Sequence, residues 1–247
     1  MSGRPPPSQV IREEYNRISD KYAELYEGDG PLQYFYQSRL KLVSELLEPG
    51  TRGMLLDVGS GPGIFGDQAR ALGFQYVAAD VSVGMARESL KRAPRDTRAV
   101  AASADALPFP DAAFDAVTAL GVFEYVERLE LAFAECGRVL RPGGRFVVSV
   151  LNHRSPYRWF QRIRRRFTPG TDRIPAVHFT RSRANALLSG AGFQVTRVLP
   201  FDMEVLPEEV ATRHPRLWKL VQQLSEPLIT TPLGRFSSAM LIHARRA

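Results

Sequence analysis

Short apolar runs alternate with helical stretches between residues 54 and 151, and this alternation limits the possible folds more than any other feature. The runs predict buried strands at 54–58, 76–79, 99–102, 114–119 and 145–151. The stretches between them predict helices at 65–72, 83–93 and 127–140. Alternating strands and helices are typical of a parallel sheet covered on both faces. Right-handed crossovers then bring the strand ends to one edge, where such sheets bind ligands.

Further elements are predicted on both sides of this alternating region. Two apolar stripes with helical spacing precede it, one from Ile11 to Leu25 and one from Leu32 to Leu47. A helix at about 180–189, a strand at 193–198 and a last strand at 238–244 follow it. The expected organisation is an N-terminal helical lid at 1–50, a core at 51–151, a basic cap insertion at 152–179, and a C-terminal part of the core at 180–247 with an insertion at 199–236.

Composition excludes several classes of protein. The 247 residues are 44% hydrophobic and 24% charged, which is ordinary for a soluble globular protein. The single cysteine, Cys136, excludes an internal disulfide and a multi-cysteine zinc site. No apolar signal core opens the chain, and no run approaches the roughly 20 apolar residues of a membrane span. We therefore expect a cytoplasmic protein without a bound metal.

The positive charge is concentrated in one segment. Residues 152–183 contain nine arginines and a single acid, Asp172, so this segment alone accounts for the net charge of +7. Four roles stay open: a solvated amphipathic helix over the substrate cleft, recognition of an anionic substrate, contact with a membrane surface, and nucleic-acid binding. Nucleic acid is the least expected of the four. Arg158, Arg162 and Arg165 are the candidate substrate contacts.

A glycine loop follows the first strand, in Leu55-Leu56-Asp57-Val58-Gly59-Ser60-Gly61-Pro62-Gly63. Its glycines allow a sharp turn and a close approach of a ligand to the backbone. Asp80 ends the next strand, where a carboxylate can accept hydrogen bonds from ribose hydroxyls. The spacing is GxGxG and Asp57 precedes the loop, so the pyrophosphate of a dinucleotide fits poorly. S-adenosylmethionine, which carries cationic groups and no phosphate, fits better.

This loop resembles motif I of the class I S-adenosylmethionine-dependent methyltransferases, in the small-molecule branch that includes quinone methyltransferases. The resemblance extends through Asp80-Val81-Ser82 with Met85, through 103–109, and through 138–144, and it covers roughly residues 50–151. It implies an α/β fold, namely a Rossmann-like doubly wound and mostly parallel seven-stranded sheet with an antiparallel last strand and helical cap elements. It also implies S-adenosyl-L-methionine as cofactor and S-adenosyl-L-homocysteine as product.

The resemblance implies a set of cofactor-binding residues. They are Tyr15, Tyr22, Asp57, Gly59, Ser60, Gly61, Gly63, Asp80, Val81, Met85, Ala104, Asp105 and Leu120. Helix packing is the alternative role of both tyrosines, and burial in the core is that of Met85. The family often has a Glu-His pair after the fourth strand, whereas this chain has Glu124-Tyr125. We therefore consider His153 and His178, which flank the segment after the fifth strand, as candidate catalytic bases.

The expected function is methyl transfer to a small organic acceptor of natural-product, quinone or lipid-like type, including anionic ones. The alternatives are an RNA or protein methyltransferase and a non-catalytic regulator that binds S-adenosylmethionine. Nucleic acid is not expected as a partner, peripheral membrane contact is left open, and the sequence does not define an oligomeric state. It also does not distinguish O-, N- and C-methylation.

Overall fold

A computed structural model describes residues 8–28, 30–48, 52–92, 97–167, 176–203, 206 and 208–247, and within these it describes every side chain except those of 162, 164–167, 208 and 209. The helices are α1 (Ser8–Tyr22), α2 (Pro31–Leu47), α3 (Gly66–Ala71), α4 (Val83–Arg92), α5 (Leu129–Val139), α6 (Pro156–Phe167), α7 (Arg181–Gly190), α8 (Glu208–Arg213) and α9 (Pro215–Ser225). The strands are β1 (Gly53–Val58), β2 (Phe74–Asp80), β3 (Thr97–Ala101), β4 (Phe114–Leu120), β5 (Leu140–Leu151), β6 (Phe193–Phe201) and β7 (Ala239–Arg246). Short 3-10 helices lie at Ala23–Tyr26, Glu226–Thr230 and Pro232–Phe236.

All seven strands form one sheet in the order β3-β2-β1-β4-β5-β7-β6. The pairs among β1 to β5 are parallel, and β7 is antiparallel to both of its neighbours. The order reverses at β1, from which the chain first runs outward through β2 and β3 and then continues on the other side with β4. This is the doubly wound α/β architecture predicted from the sequence, with its antiparallel last strand.

Both faces of the sheet are covered, because successive strand residues point to opposite faces. Leu55 belongs to a core cluster that includes Leu40 and Val43 of α2. Its neighbour Leu56 belongs to a second cluster, which includes Phe133 of α5. The apolar runs of the sequence are thus buried on two sides, as expected for a parallel sheet between helices.

Two predicted boundaries are wrong. A helix was predicted up to residue 140 and a strand only from 145, but β5 already begins at Leu140, so Pro142-Gly143-Gly144 lies inside this strand. There the pairing with β4 jumps from Phe114↔Leu140 to Ala116↔Arg145, so the segment forms an irregularity of the bulge type, where proline and glycine are tolerated. Gly143 in this segment has a φ of 74°, a left-handed conformation that glycine adopts readily.

The second error concerns the insertion predicted at 199–236. Strand β6 continues through Phe201, because residues up to that point pair with β7, so the insertion begins only after it. The described part of the insertion holds α8, α9 and two short 3-10 helices. Across the described residues, no helix has the length and apolar character needed to span a membrane.

The N-terminal helix α1 packs beside the carboxyl end of β2. The side-chain oxygen of Asn16 accepts hydrogen bonds from the Ser82 hydroxyl (2.7 Å), in the β2–α4 connection, and from the Gly84 N–H (3.0 Å), in the first turn of α4. The tyrosines of α1 are therefore held over the edge where β1, β2 and β4 end.

Candidate functional site

Two adjoining cavities lie at the carboxyl edge of the sheet. One, of about 270 Å³, borders the glycine loop, the end of β2, the turn after β3, and α1; we call it the loop cavity. The other, of about 240 Å³, borders α2, the segment after β4, the end of β5, α6 and α9; we call it the cap cavity. The residues that line both are Tyr15, Tyr22, Leu120, Gly121 and Tyr125.

The glycine loop is fixed to the end of β2. The N–H groups of Gly59 and Ser60 both donate to the Ala79 carbonyl, at 2.7 and 3.1 Å. Gly59 has a φ of +65°, and a Cβ at this position would overlap the Val122 side chain. Only glycine fits here without strain. The loop thus brings three of the predicted cofactor-binding residues, Gly59, Ser60 and Gly61, to the wall of the loop cavity.

Asp80 lies at the end of β2 and lines the loop cavity. Its Oδ2 accepts from the Gly61 N–H and its Oδ1 from the Ser82 N–H, both at 2.9 Å. Burial raises the pKa of Asp80 to about 6, and these two hydrogen bonds limit the rise. A carboxylate has about four acceptor sites, so two are left for hydroxyl donors such as those of a ribose.

Asp105 lines the same cavity beyond the turn after β3. It accepts from the Ser103 hydroxyl at 2.5 Å and from Arg128 Nε at 2.7 Å. Burial acts to raise the pKa of Asp105, but the hydrogen bonds from Ser103 and Arg128 outweigh it, and the pKa is lowered. Val81 and Ala104 also line the cavity. Arg128 was not foreseen, because nothing in its sequence context links it to Asp105.

Asp57, Gly63 and Met85, also predicted to bind the cofactor, are absent from the lining of both cavities. Asp57 is buried beneath the loop, where it accepts from Tyr76 Oη (2.8 Å) and Thr118 Oγ1 (2.7 Å). Burial raises its pKa to about 6. Met85 is fully buried in α4, as in the alternative considered from the sequence. Gly63 turns the loop, with its N–H donating to the Ser60 carbonyl at 3.1 Å.

Tyr15 and Tyr22 stand where the two cavities meet. Their rings contact edge to face, with centroids 5.7 Å apart, and Tyr15 also approaches Tyr125 at 6.5 Å. Burial raises the pKa of both Tyr15 and Tyr22 well above the usual range. Both phenols therefore keep their protons at neutral pH and can serve as hydrogen-bond donors.

The cap cavity contains buried charges that the sequence did not single out. Arg39 of α2 is 5% exposed, with its guanidinium 5.1 Å from the Tyr36 ring centroid. Glu124, four residues after β4, is 2% exposed. Burial raises the pKa of Glu124 to about 7, although Arg39 and Arg158 act to lower it. Gly121 has a φ of +77°, and a Cβ there would lie 2.9 Å from Arg39 Nη1.

The predicted catalytic and substrate residues are only partly brought to this site. Neither His153 nor His178 lines either cavity. Arg158 lines the cap cavity, and its role as a substrate contact stays a prediction. Arg162 and Arg165 lie on α6, but their side chains are outside the described part of the chain.

Sequence signals for the missed residues do exist. Arg39 follows Tyr36 by three residues and precedes Val43 by four, so it lies on the apolar face of its helix. A charge in that position is rarely buried without a function or a partner. Glu124 was noticed only as the neighbour of Tyr125, which stands where the family often has a histidine.

Comparisons with known proteins agree on the type of domain. A family model described as a methyltransferase domain matches residues 56–148. A demethylmenaquinone methyltransferase from Renibacterium salmoninarum is 40% identical over 105 residues, covering 42% of this chain and 43% of that protein. A malonyl-[acyl-carrier protein] O-methyltransferase from Geobacter sulfurreducens is 30% identical over 188 residues, covering 70% of this chain and 64% of that protein. The chain thus spans less than two thirds of either relative.

A solved structure extends the similarity in fold to almost the whole chain. Magnesium protoporphyrin IX methyltransferase from Synechocystis PCC 6803, with bound S-adenosylhomocysteine, has a TM-score of 0.69 at 16% identity and covers 97% of this chain and 99% of that one. Residues 56–148 therefore form a methyltransferase domain, and the chain has the fold of the class I S-adenosylmethionine-dependent methyltransferases.

Proposed function

We propose that this protein transfers a methyl group from S-adenosylmethionine, bound in the loop cavity, to a small organic acceptor bound in the cap cavity. The observation that carries this proposal is that the two cavities adjoin. Methyl transfer from a sulfonium is an in-line displacement, so the acceptor atom and the methyl group must be aligned. Such alignment contributes on the order of 7–11 kcal/mol to lowering a barrier.

The loop cavity offers groups suited to each part of the cofactor. In this proposal Asp80 accepts hydrogen bonds from the ribose hydroxyls, and Asp105 faces the adenine. The backbone of Gly59 and Gly61 borders the methionine part, and Tyr15 covers it. Asp57, Gly63 and Met85 shape the loop and its support without direct contact.

The cap cavity favours a small acceptor over a folded macromolecule. Helices α2, α6 and α9 enclose it, and aromatic side chains from Phe35, Tyr157 and Trp218 line it. An RNA or protein methyltransferase would need an open surface at this position. A regulator without turnover would not need a second cavity beside the cofactor. Arg158 gives the cavity a cation that suits anionic acceptors.

Contact of α6 with an anionic membrane remains a prediction. The helix lies in the basic segment, and its Trp159 and Phe160 are 62% and 46% exposed. Exposed aromatic side chains beside arginines suit a lipid surface. We expect the protein to cosediment with anionic vesicles at low salt. Replacing Trp159 and Phe160 with serine should weaken this binding to the vesicles. A cytoplasmic location also stays a prediction.

Calorimetry with S-adenosylhomocysteine and NAD tests the proposed function. We expect micromolar affinity for S-adenosylhomocysteine and no comparable affinity for NAD. Asp80→Ala removes two charge-assisted hydrogen bonds to the ribose, each worth about 1.5–3 kcal/mol, and we expect at least tenfold weaker binding. Asp67→Ala, on the exposed side of α3, is the matched control and should bind normally. Tight NAD binding without a response to S-adenosylhomocysteine would overturn the proposal.

A further inference from the structure

Glu124 is a buried carboxylate whose position is fixed by the backbone. Its Oε1 accepts from the Leu151 N–H at 2.9 Å, and its main-chain carbonyl accepts from the Val177 N–H at 2.8 Å. The end of β5 and the chain before α7 therefore hold the residue in place. Since one side-chain oxygen is used by Leu151, the orientation of the other oxygen is also set.

That other oxygen, Oε2, is buried and has no hydrogen-bond partner among the described residues. Buried polar atoms without partners are rare in folded proteins and call for a specific explanation. Glu124 lines the cap cavity and lies three residues after Gly121, which lines both cavities. A proton donor bound in the cap cavity would supply the missing partner.

Charged and titratable groups surround Glu124 from several elements. Arg39 of α2 and Arg158 of α6 act to stabilise its negative charge. Tyr15 of α1 also interacts with it electrostatically, and Asp202, after β6, lines the same cavity. Burial dominates, and it raises the pKa of Glu124 to about 7. A carboxylate with a pKa near the working pH is well suited to take up and release a proton.

We propose that Glu124 is the catalytic base of this enzyme and that its acceptor carries a neutral hydroxyl group. This inference rests on the proposed function. The hydroxyl proton passes to the carboxylate of Glu124 while the oxygen forms a bond to the methyl carbon. The bond between that carbon and the sulfonium sulfur breaks, and its electron pair stays on sulfur as the neutral thioether of S-adenosylhomocysteine. Glu124 then releases its proton to solvent.

Other candidate bases fit the geometry less well. His153 and His178 do not line the cap cavity. Tyr15 and Tyr22 do line it, but burial raises the pKa of each so far that neither is ionised at neutral pH. An amine or carboxylate acceptor would not need a base in the cavity, whereas a neutral hydroxyl does.

Two phenols that differ in acidity test this role. At pH 8 phenol, whose pKa is like that of tyrosine, stays almost fully protonated, whereas 4-nitrophenol, a much stronger acid, is largely ionised. Methyl transfer from labelled S-adenosylmethionine to each, at high acceptor concentration, is measured for the wild type, Glu124→Gln and Glu130→Gln. Glu130 is exposed on α5 and serves as the control for loss of one negative charge.

The inference predicts that Glu124→Gln lowers kcat with phenol about 100-fold or more, within the range for general base catalysis, and with 4-nitrophenol much less. The wild-type kcat with phenol should rise with pH through about 7, because the base must be ionised, and this rise should vanish in the variant. Binding of S-adenosylhomocysteine to the variant should be normal, which reports an intact fold.

Equal losses with both phenols, or no loss, would overturn the assignment of Glu124. Methylation of neither phenol by a wild type that binds S-adenosylhomocysteine would overturn the hydroxyl acceptor and leave the proposed function standing. Failure to bind S-adenosylhomocysteine would instead overturn the proposed function itself.

Discussion

The loop cavity and the cap cavity differ in how their polar groups are satisfied. In the loop cavity Asp80 accepts from two backbone N–H groups, and Asp105 accepts from a serine and an arginine. In the cap cavity the buried atoms Arg39 Nε, Glu124 Oε2 and Gln222 Nε2 have no partner among the described residues. The polar groups of one cavity are held by backbone and side-chain donors of the protein, whereas the other cavity holds polar atoms whose hydrogen bonds a bound acceptor would complete.

The two cavities also differ in which parts of the chain build them. The loop cavity is formed mainly by the ends of β1, β2 and β4 and the connections that follow them, together with α1. The cap cavity takes most of its wall from α2, α6 and α9, which lie outside the alternating region. The parallel sheet thus accounts for the cofactor side, and the added helices account for the acceptor side.

The largest effect that we expect is on protein stability, through the buried carboxylate of Glu124 in the cap cavity. Burial raises the folded-state pKa of Glu124 from its ordinary value of 4.5 to about 7, so its stabilising contribution is present below about pH 4.5 and is lost as the pH rises through 7. The loss amounts to at most about 3 kcal/mol. Glu124→Gln removes this titration. We therefore expect the variant to be about as stable as the wild type at pH 5 and more stable at pH 8.

Urea unfolding at the two pH values measures this difference, with Glu130→Gln as the exposed control. That control should track the wild type at both. If Glu124→Gln were less stable than the wild type at pH 8, the carboxylate would be satisfied by its surroundings, and the contrast between the cavities would fail.

A smaller effect is expected on the affinity for S-adenosylhomocysteine, which should depend on the loop cavity and not on the cap cavity. Asn16→Ala removes two hydrogen bonds that hold α1 over the loop cavity, and a net loss of about 1 kcal/mol corresponds to roughly fivefold weaker binding of S-adenosylhomocysteine. Trp218→Ala changes the cap cavity alone, so its affinity should stay within about twofold of the wild type. Calorimetry distinguishes the two variants. A similar loss in both would mean that the cavities do not act separately.

The same division explains what the sequence could predict. The sheet, the glycine loop and Asp80 follow from apolar runs, positive-φ glycines and an acid at a strand end, all of which are local in sequence. Arg128 reaches Asp105 across 23 positions, and Arg39 of α2 reaches Gly121 in the segment after β4. Contacts of this kind depend on tertiary packing, so neither was predicted.

Three predicted site residues show the same limit of local sequence. Asp57 was predicted to bind the cofactor because it precedes the loop, and the structure places it beneath the loop, where each of its oxygens accepts one hydrogen bond, from Tyr76 and Thr118. His153 and His178 were chosen for their place along the chain, and the segment they flank does not bring them to the cavity wall. The position of a residue next to a motif in the sequence does not determine on which side of the sheet edge its side chain lies.

A crystal structure of the protein with S-adenosylhomocysteine tests the central claim most directly, namely that the two cavities meet at the site of methyl transfer. We predict that the ribose hydroxyls bind Asp80 and that the sulfur lies at the boundary formed by Leu120, Gly121 and Tyr125. The side of the sulfur that carries the methyl group in the cofactor should face Glu124 across the cap cavity. An S-adenosylhomocysteine molecule whose sulfur is separated from the cap cavity by protein, or whose adenosine lies in the cap cavity, would contradict the account.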